Sequence, residues 1–316
     1  MKDLSQQIKE VARSLLQDGK VDLVIGYENG SLPLRASPCF IRSAGEVERL
    51  IWNACCETNL ATYLPDRDER VGLVAKGCDA RAIVVEIAER QVARERVVII
   101  GVPCEGIIDR RKVASRLGWK EILQANLEDG RILLAGDGFE ETLPLEDSLY
   151  EACLTCEQRT SPVYDYLVGE PIPAVEVIDP FREVTALESQ GADQKWAYFS
   201  QEFSKCIRCY ACRQACPLCY CPECFIDQTQ PSWFGKTNDL SDTLIFHVVR
   251  ALHLAGRCVD CGTCSRACPM GIDLRALNRK MIKDVWERYG YRAGLDLAAI
   301  PPLSTFKLDD PQEFIK

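Results

Sequence analysis

Two runs of cysteine carry the densest chemistry in this chain. The first reads Cys206-Ile207-Arg208-Cys209-Tyr210-Ala211-Cys212-Arg213-Gln214-Ala215-Cys216-Pro217, and the second Cys258-Val259-Asp260-Cys261-Gly262-Thr263-Cys264-Ser265-Arg266-Ala267-Cys268-Pro269. Three thiolates at two-residue gaps reach three iron corners of one cubane, while the fourth, followed by proline, points away toward a second. The spacing assigns one 4Fe–4S cluster to Cys206, Cys209, Cys212 and Cys268, and another to Cys258, Cys261, Cys264 and Cys216. Structural zinc is the competing reading, because zinc also takes four-cysteine sites. Zinc needs two pairs per site, whereas this pattern repeats a triple plus one.

The chain holds 18 cysteines and no export signal is read at its N-terminus, so metal is favoured over disulfides. Cys78 follows the run VGLVA and Cys104 follows VVIIG; both runs read as parallel strands, whose carboxyl ends are where α/β sheets bind ligands. With the pair Cys153 and Cys156, these thiols form a candidate third cluster, against the plainer reading of two buried cysteines and a loop pair. Cys78 also leads into a helix, whose N-terminal partial charge favours an anion. Cys219, Cys221 and Cys224 are too close together to be packing alone; they fit a further metal site or line the first module. Cys39, Cys55 and Cys56 fall near apolar segments and read as core.

Lys205, Arg208, Arg213, Arg257 and Arg266 flank the motifs, either tuning anionic clusters or forming a solvated face. His247 and His253 are six apart and off a shared helical face, so both read as packing or surface residues. No G-x-G-x-x-G follows a predicted strand, and Gly235-Lys236-Thr237 has Gln230 where a P-loop needs glycine. No serine, histidine and acid arrangement for hydrolysis emerges. The net charge of −9, from 38 basic and 47 acidic side chains, disfavours nucleic acid. No apolar stretch approaches the ~20 residues of a membrane span. The expectation is a cytoplasmic protein that meets membranes only through partners.

The positioning elements follow from periodicity. An amphipathic N-terminal helix carries Leu4, Ile8, Val11 and Leu15 on one side. Residues 22–26, 71–75 and 97–101 read as buried parallel strands, with helices over 44–58 and 79–93 between them. A hairpin over 121–136 turns at Asp129-Gly130. Residues 157–190, with Pro162, Pro171, Pro173 and Pro180, read as a linker with a few short elements. Helices are predicted over 241–255, capped by Ser241 and ended by Gly256, and from Asp273 to Tyr289, burying Leu274, Leu277, Met281, Val285 and Trp286 before Gly290. The fold class is an α/β N-terminal domain with a mainly parallel sheet (1–180), a mainly α-helical two-cluster ferredoxin domain (181–300) and a tail (301–316).

The segment from Val71 to Gly106, with Cys153-Leu154-Thr155-Cys156 and the Tyr164-Asp165-Tyr166-Leu167-Val168-Gly169 stretch, resembles the β subunits of deazaflavin-reducing hydrogenases and related formate dehydrogenases. That resemblance implies a cluster on Cys104, Cys153 and Cys156, with Cys78 as fourth ligand, near bound FAD. The stretch Ala255-Gly256-Arg257-Cys258-Val259-Asp260-Cys261-Gly262-Thr263-Cys264 resembles the helical ferredoxins of heterodisulfide reductase and sulfhydrogenase subunits. Together the resemblances imply an electron-transfer subunit of an anaerobic oxidoreductase complex. Its partners would be a formate dehydrogenase or hydrogenase catalytic subunit and a heterodisulfide-reductase-like flavoprotein. The alternatives are a catalytic FAD/iron–sulfur subunit acting on a deazaflavin or nicotinamide carrier, and a zinc-stapled interaction protein.

Overall fold

A computed structural model describes residues 3–174, 177 and 179–302; most of the expected tail lies outside them. Helix α1 (Leu4–Gln17) precedes strand β1 (Leu23–Asn29), which turns back as β2 (Ala36–Ile41). Strands β3 (Val71–Ala75) and β4 (Val97–Gly101) flank helix α2 (Gly77–Ala88). Helix α3 (Arg110–Arg116) leads to a meander, β5 (Gln124–Glu128), β6 (Arg131–Gly136) and β7 (Phe139–Pro144), and then α4 (Glu151–Leu154). Strand β8 (Tyr166–Leu167) closes a five-stranded sheet of order β2-β1-β3-β4-β8, in which β2 alone runs antiparallel.

Alternation along the strands divides the core, because successive side chains point to opposite faces. Val24, Val74 and Ile100 pack under Ile8, Ala12 and Leu15 of α1. Leu23, Ile25, Leu73 and Ile99 face the other way, toward Ala82, Ile83 and Val85 of α2. Leu218, Leu254, Val259 and Ala293 of the cysteine-rich part join that second core, so the two halves share buried surface.

The second half is helical: α5 (Arg182–Glu188), α6 (Ala192–Phe203), α7 (Ala211–Gln214), α8 (Leu240–His253), α9 (Thr263–Ala267) and α10 (Arg275–Tyr289). Helix α8 packs against α6 and α10, and α7 lies beside α9. Gly290 ends α10 at φ +61°, the left-handed cap that glycine adopts without a Cβ penalty. Among the described residues, no helix is long and apolar enough to cross a membrane.

Several expectations are corrected. Residues 44–58 form no α-helix: a short 3-10 helix spans Ala44–Arg49, and Val47 and Leu50 are buried from irregular backbone. The hairpin is a three-stranded meander, its second turn made by Asp137-Gly138 with Gly138 at φ +71°. The proline-rich segment is not merely a linker, since β8 pairs in parallel with β4. Helix α8 starts one residue before Ser241, with Asp239 at its N-cap. On α10, Trp286 is exposed and Arg275, Asn278 and Arg279 are buried beside Val285.

Candidate metal centres

The sheet register builds the first site. Ala75 of β3 pairs with Gly101 of β4, and Cys78 and Cys104 each lie three residues beyond that matched pair. Both loops therefore leave the same edge together, tied by Val102 N–H donating to Ala75 O at 3.0 Å. Cys78, Cys104, Cys153 and Cys156 line one small cavity with Lys76, Arg81, Arg266 and Cys261. Backbone N–H groups point at these sulfurs, as where Ile107 N–H donates to Cys153 Sγ at 3.4 Å. Cys78 and Cys104 reach the cavity from the strand ends, and Cys153 and Cys156 from α4 and the turn after it.

Cations surround this cavity, and the sequence reading missed two of them. Lys76 is 1% exposed; its ammonium pairs with Asp79 at 2.9 Å, donates to Thr58 O at 3.0 Å and meets the Tyr27 hydroxyl. Burial opposes its charge, but Asp79 and Cys78 together hold it above the ordinary lysine range. Arg81 donates to Ala293 O at 3.0 and 2.8 Å and to Val259 O at 3.1 Å, tying α2 to the second motif. Arg266 donates to Cys261 O at 2.5 Å and Glu57 O at 2.8 Å. The signal available in sequence was a basic residue beside each cysteine or strand end.

The two ferredoxin-type motifs fold as matching loops. Arg208 and Tyr210 have φ of +52° and +59° in the first, and Asp260 and Gly262 have +55° and +70° at the equivalent positions of the second. Left-handed backbone costs non-glycine residues about 1–3 kcal/mol each, so the shared winding marks a constrained function. Each loop then enters a short helix carrying its third cysteine, Cys212 on α7 and Cys264 on α9.

Thiols of the two motifs neighbour one another. Cys206 lies within electrostatic reach of Cys268 and Cys209, and Cys212 of Cys264, Cys206 and Cys268. Cys264 has Cys216 and Cys261 beside it, and Cys258 has Cys261 and Cys264. Burial raises Cys206, Cys258 and Cys264 above the free-cysteine value, and Cys212 and Cys104 to about 12, so iron must displace protons there on binding. Hydrogen bonds meet the sulfurs: Arg208 N–H donates to Cys206 Sγ at 3.4 Å, and Asn278 Nδ2 donates to Cys264 Sγ at 3.6 Å.

His247 packs in the core against Phe203 and Phe246. It is buried on α8 with Nε2 at 3.3 Å from Cys206 Sγ, so it faces the first motif rather than merely filling the core. His253 is exposed on the same helix. Of the flanking basic residues, Lys205 pairs with Glu202, Arg213 with Asp227 at 2.6 Å and Arg257 with Glu89 at 2.7 Å. Arg208 is buried and donates to Gly235 O and Thr237 O, each at 3.0 Å. Arg111 of α3 donates to Cys268 O. Cys39, Cys55 and Cys56 are buried, as expected for core.

Among the described residues, no three Cys, His, Asp or Glu side chains converge closely enough for one metal ion. A zinc site closes at Zn–S distances of ~2.3 Å, whereas a cubane holds its thiolates farther apart. The three groups are also adjacent to one another: Cys264 lies beside Cys212, and Cys261 both lines the first cavity and neighbours Cys78.

No protein-family model matches the chain. It is 24% identical to the F420-dependent formate dehydrogenase subunit beta of Methanocaldococcus jannaschii, over 92% of this chain and 91% of that one. It is 25% identical to the F420-dependent formate dehydrogenase 1 subunit beta of Methanococcus maripaludis, over 92% and 90%. A solved F420-reducing [NiFe] hydrogenase complex from Methanosarcina barkeri overlaps with a TM-score of 0.39 at 15% identity, covering 60% of this chain and 78% of that one. The resemblance to formate dehydrogenase β subunits thus extends along nearly the whole chain. The first alignment runs to 353 positions against 316 residues here, so that relative carries segments this chain lacks.

Proposed function

We propose that this chain is an iron–sulfur electron-transfer subunit of a cytoplasmic oxidoreductase complex of the formate dehydrogenase, hydrogenase or heterodisulfide reductase type. Three 4Fe–4S clusters would sit on Cys206, Cys209, Cys212 and Cys268; on Cys258, Cys261, Cys264 and Cys216; and on Cys78, Cys104, Cys153 and Cys156. The clusters supply one-electron chemistry. The protein fixes their spacing, keeps water from the buried thiols and tunes potential with N–H···S bonds and cations. Partners would be a catalytic subunit at one end of the relay and a flavoprotein at the other.

The observation that carries this reading is the adjacency of the three cysteine groups, with the second motif between the other two. Three such groups in series suit one-electron transfer through the chain. Iron and acid-labile sulfide analysis of the anaerobically reconstituted chain tests it. About twelve iron atoms on these three groups is the expected minimum; stoichiometric zinc without iron would overturn the reading.

A second reading, in which the chain binds FAD and exchanges hydride with a deazaflavin or nicotinamide, draws on one feature. An open groove of about 1160 Å³ runs past Cys104 and Gly106 to Gly169 and Pro173. Its lining carries the carboxylates of Asp3, Glu10, Glu105 and Glu170, with no lysine or arginine among its described residues. That charge opposes a dinucleotide's diphosphate, and the helix N-terminus in the lining, that of α1 at Leu4, is preceded by the carboxylate of Asp3. The relay is the better fit.

A further inference from the structure

Eight residues beyond Cys216, the last cysteine of the first motif, the chain is still supplying thiols. The segment Cys216-Pro217-Leu218-Cys219-Tyr220-Cys221-Pro222-Glu223-Cys224 wraps a cavity of about 210 Å³, and Cys219, Cys221 and Cys224 all line it. None of these three is needed by the clusters assigned above.

The remaining wall is cationic and apolar. Arg213, Arg250 and Arg257 line the cavity, with Leu218, Phe225, Phe246 and Leu254. Arg213 stands against Cys224 and Arg250 against Cys219. Arg213 and Arg257 are each paired with a carboxylate. Arg250 is 5% exposed; it donates from Nη2 to Cys212 O at 3.0 Å, and its Nε has no hydrogen-bond partner. A buried guanidinium with an unsatisfied N–H calls for an anion or acceptor beside it. A thiolate-ligated iron–sulfur cluster is anionic and presents sulfide acceptors.

We propose that Cys219, Cys221 and Cys224 hold a further iron–sulfur cluster of the cubane class, bound by three thiolates, with its fourth iron turned to the cavity. The non-cysteine donors on that wall are His253 and Asp227, the latter already paired with Arg213. A zinc ion is the poorer occupant, because no close three-ligand convergence exists among the described residues. The proposal rests on the iron–sulfur reading above, but the site uses thiols distinct from those three groups, so its own failure can be told apart from that of the relay.

The test is iron and sulfide content of the full chain, reconstituted anaerobically, for the wild type and for Cys221→Ser/Cys224→Ser. The wild type should carry about sixteen iron atoms, and the variant about four fewer. A measurement on the wild type alone guards against misfolding of the variant. Mild ferricyanide oxidation should strip the iron that lacks a thiolate and leave the EPR signal of a three-iron cluster. About twelve iron atoms with no such signal would overturn this site alone. A chain without iron would overturn it together with the relay.

Discussion

The Nε2 of His247 stands 3.3 Å from the sulfur of Cys206. Burial, then the charges of Arg250 and Arg208, push this imidazole down to about 4, so it is neutral near pH 7. A metal-bound thiolate only accepts hydrogen bonds, which places the ring proton on Nε2 and leaves Nδ1 unpartnered, as it is in the structure. The bond stabilises the more negative, reduced cluster. His247→Phe keeps the stacking against Phe203 and removes the donor. The potential of the cluster on Cys206 should then fall by roughly 30–60 mV with iron content unchanged, measured by redox-poised EPR.

Crosswise ligation makes a prediction that sequence order alone would not. Cys206→Ser and Cys268→Ser lie in different motifs yet should remove the same cluster, so the double variant loses no more iron than either single one. Cys206→Ser with Cys258→Ser should lose about eight iron atoms, twice the single loss. Additive loss in the first pair would contradict the assignment.

Gly77 tests how the strand-end site is packed. A Cβ there would collide with the carbonyl oxygen of Gln158, a backbone atom near Cys156. Gly77→Ala must push that loop away from Cys78. We expect a loss of roughly 1–3 kcal/mol in unfolding free energy, read by chemical denaturation, and loss of the cluster on Cys78, Cys104, Cys153 and Cys156 alone.

Glu86 of α2 is wholly buried with both carboxyl oxygens unpartnered. Burial, reinforced by Cys216, raises its carboxyl well above the usual range. The folded chain thus holds a proton that the unfolded chain releases from about pH 4.5 upward, so this group lowers stability progressively as pH rises from there to its folded value. Glu86→Gln should stabilise the chain at pH 7 and make no difference below pH 4, by thermal unfolding across that range. Equal effects at both pH values would show that the carboxyl of Glu86 is not raised in the folded chain.

Much of this was legible in sequence, for reasons that differ by feature. The doubled cysteine run encodes ligand geometry locally, and Asp129-Gly130 encodes its own turn, with φ of +47° and +71°. Cys78 and Cys104 were placed at one sheet edge because parallel strands in register end together. The helix over 44–58 failed because its apolar residues serve a coil that passes over the sheet edge, where Tyr27 O accepts from Ile51 N–H. The approach of His247 to Cys206 gave no signal because the two histidines were judged as a pair, whereas each has its own surroundings. Lys76 and Arg250 are buried cations, and sequence gives no sign that Lys76 meets Tyr27 and Thr58, or Arg250 the carbonyl of Cys212, far along the chain.

Low-temperature EPR of the fully reduced, anaerobically reconstituted chain tests the relay most directly. Neighbouring paramagnetic clusters broaden one another, so the spectrum should be an interaction spectrum that simplifies when Cys258→Ser removes the middle cluster. A chain that takes up iron and sulfide yet shows no reducible 4Fe–4S signal, or shows independent signals indifferent to that substitution, would contradict the account.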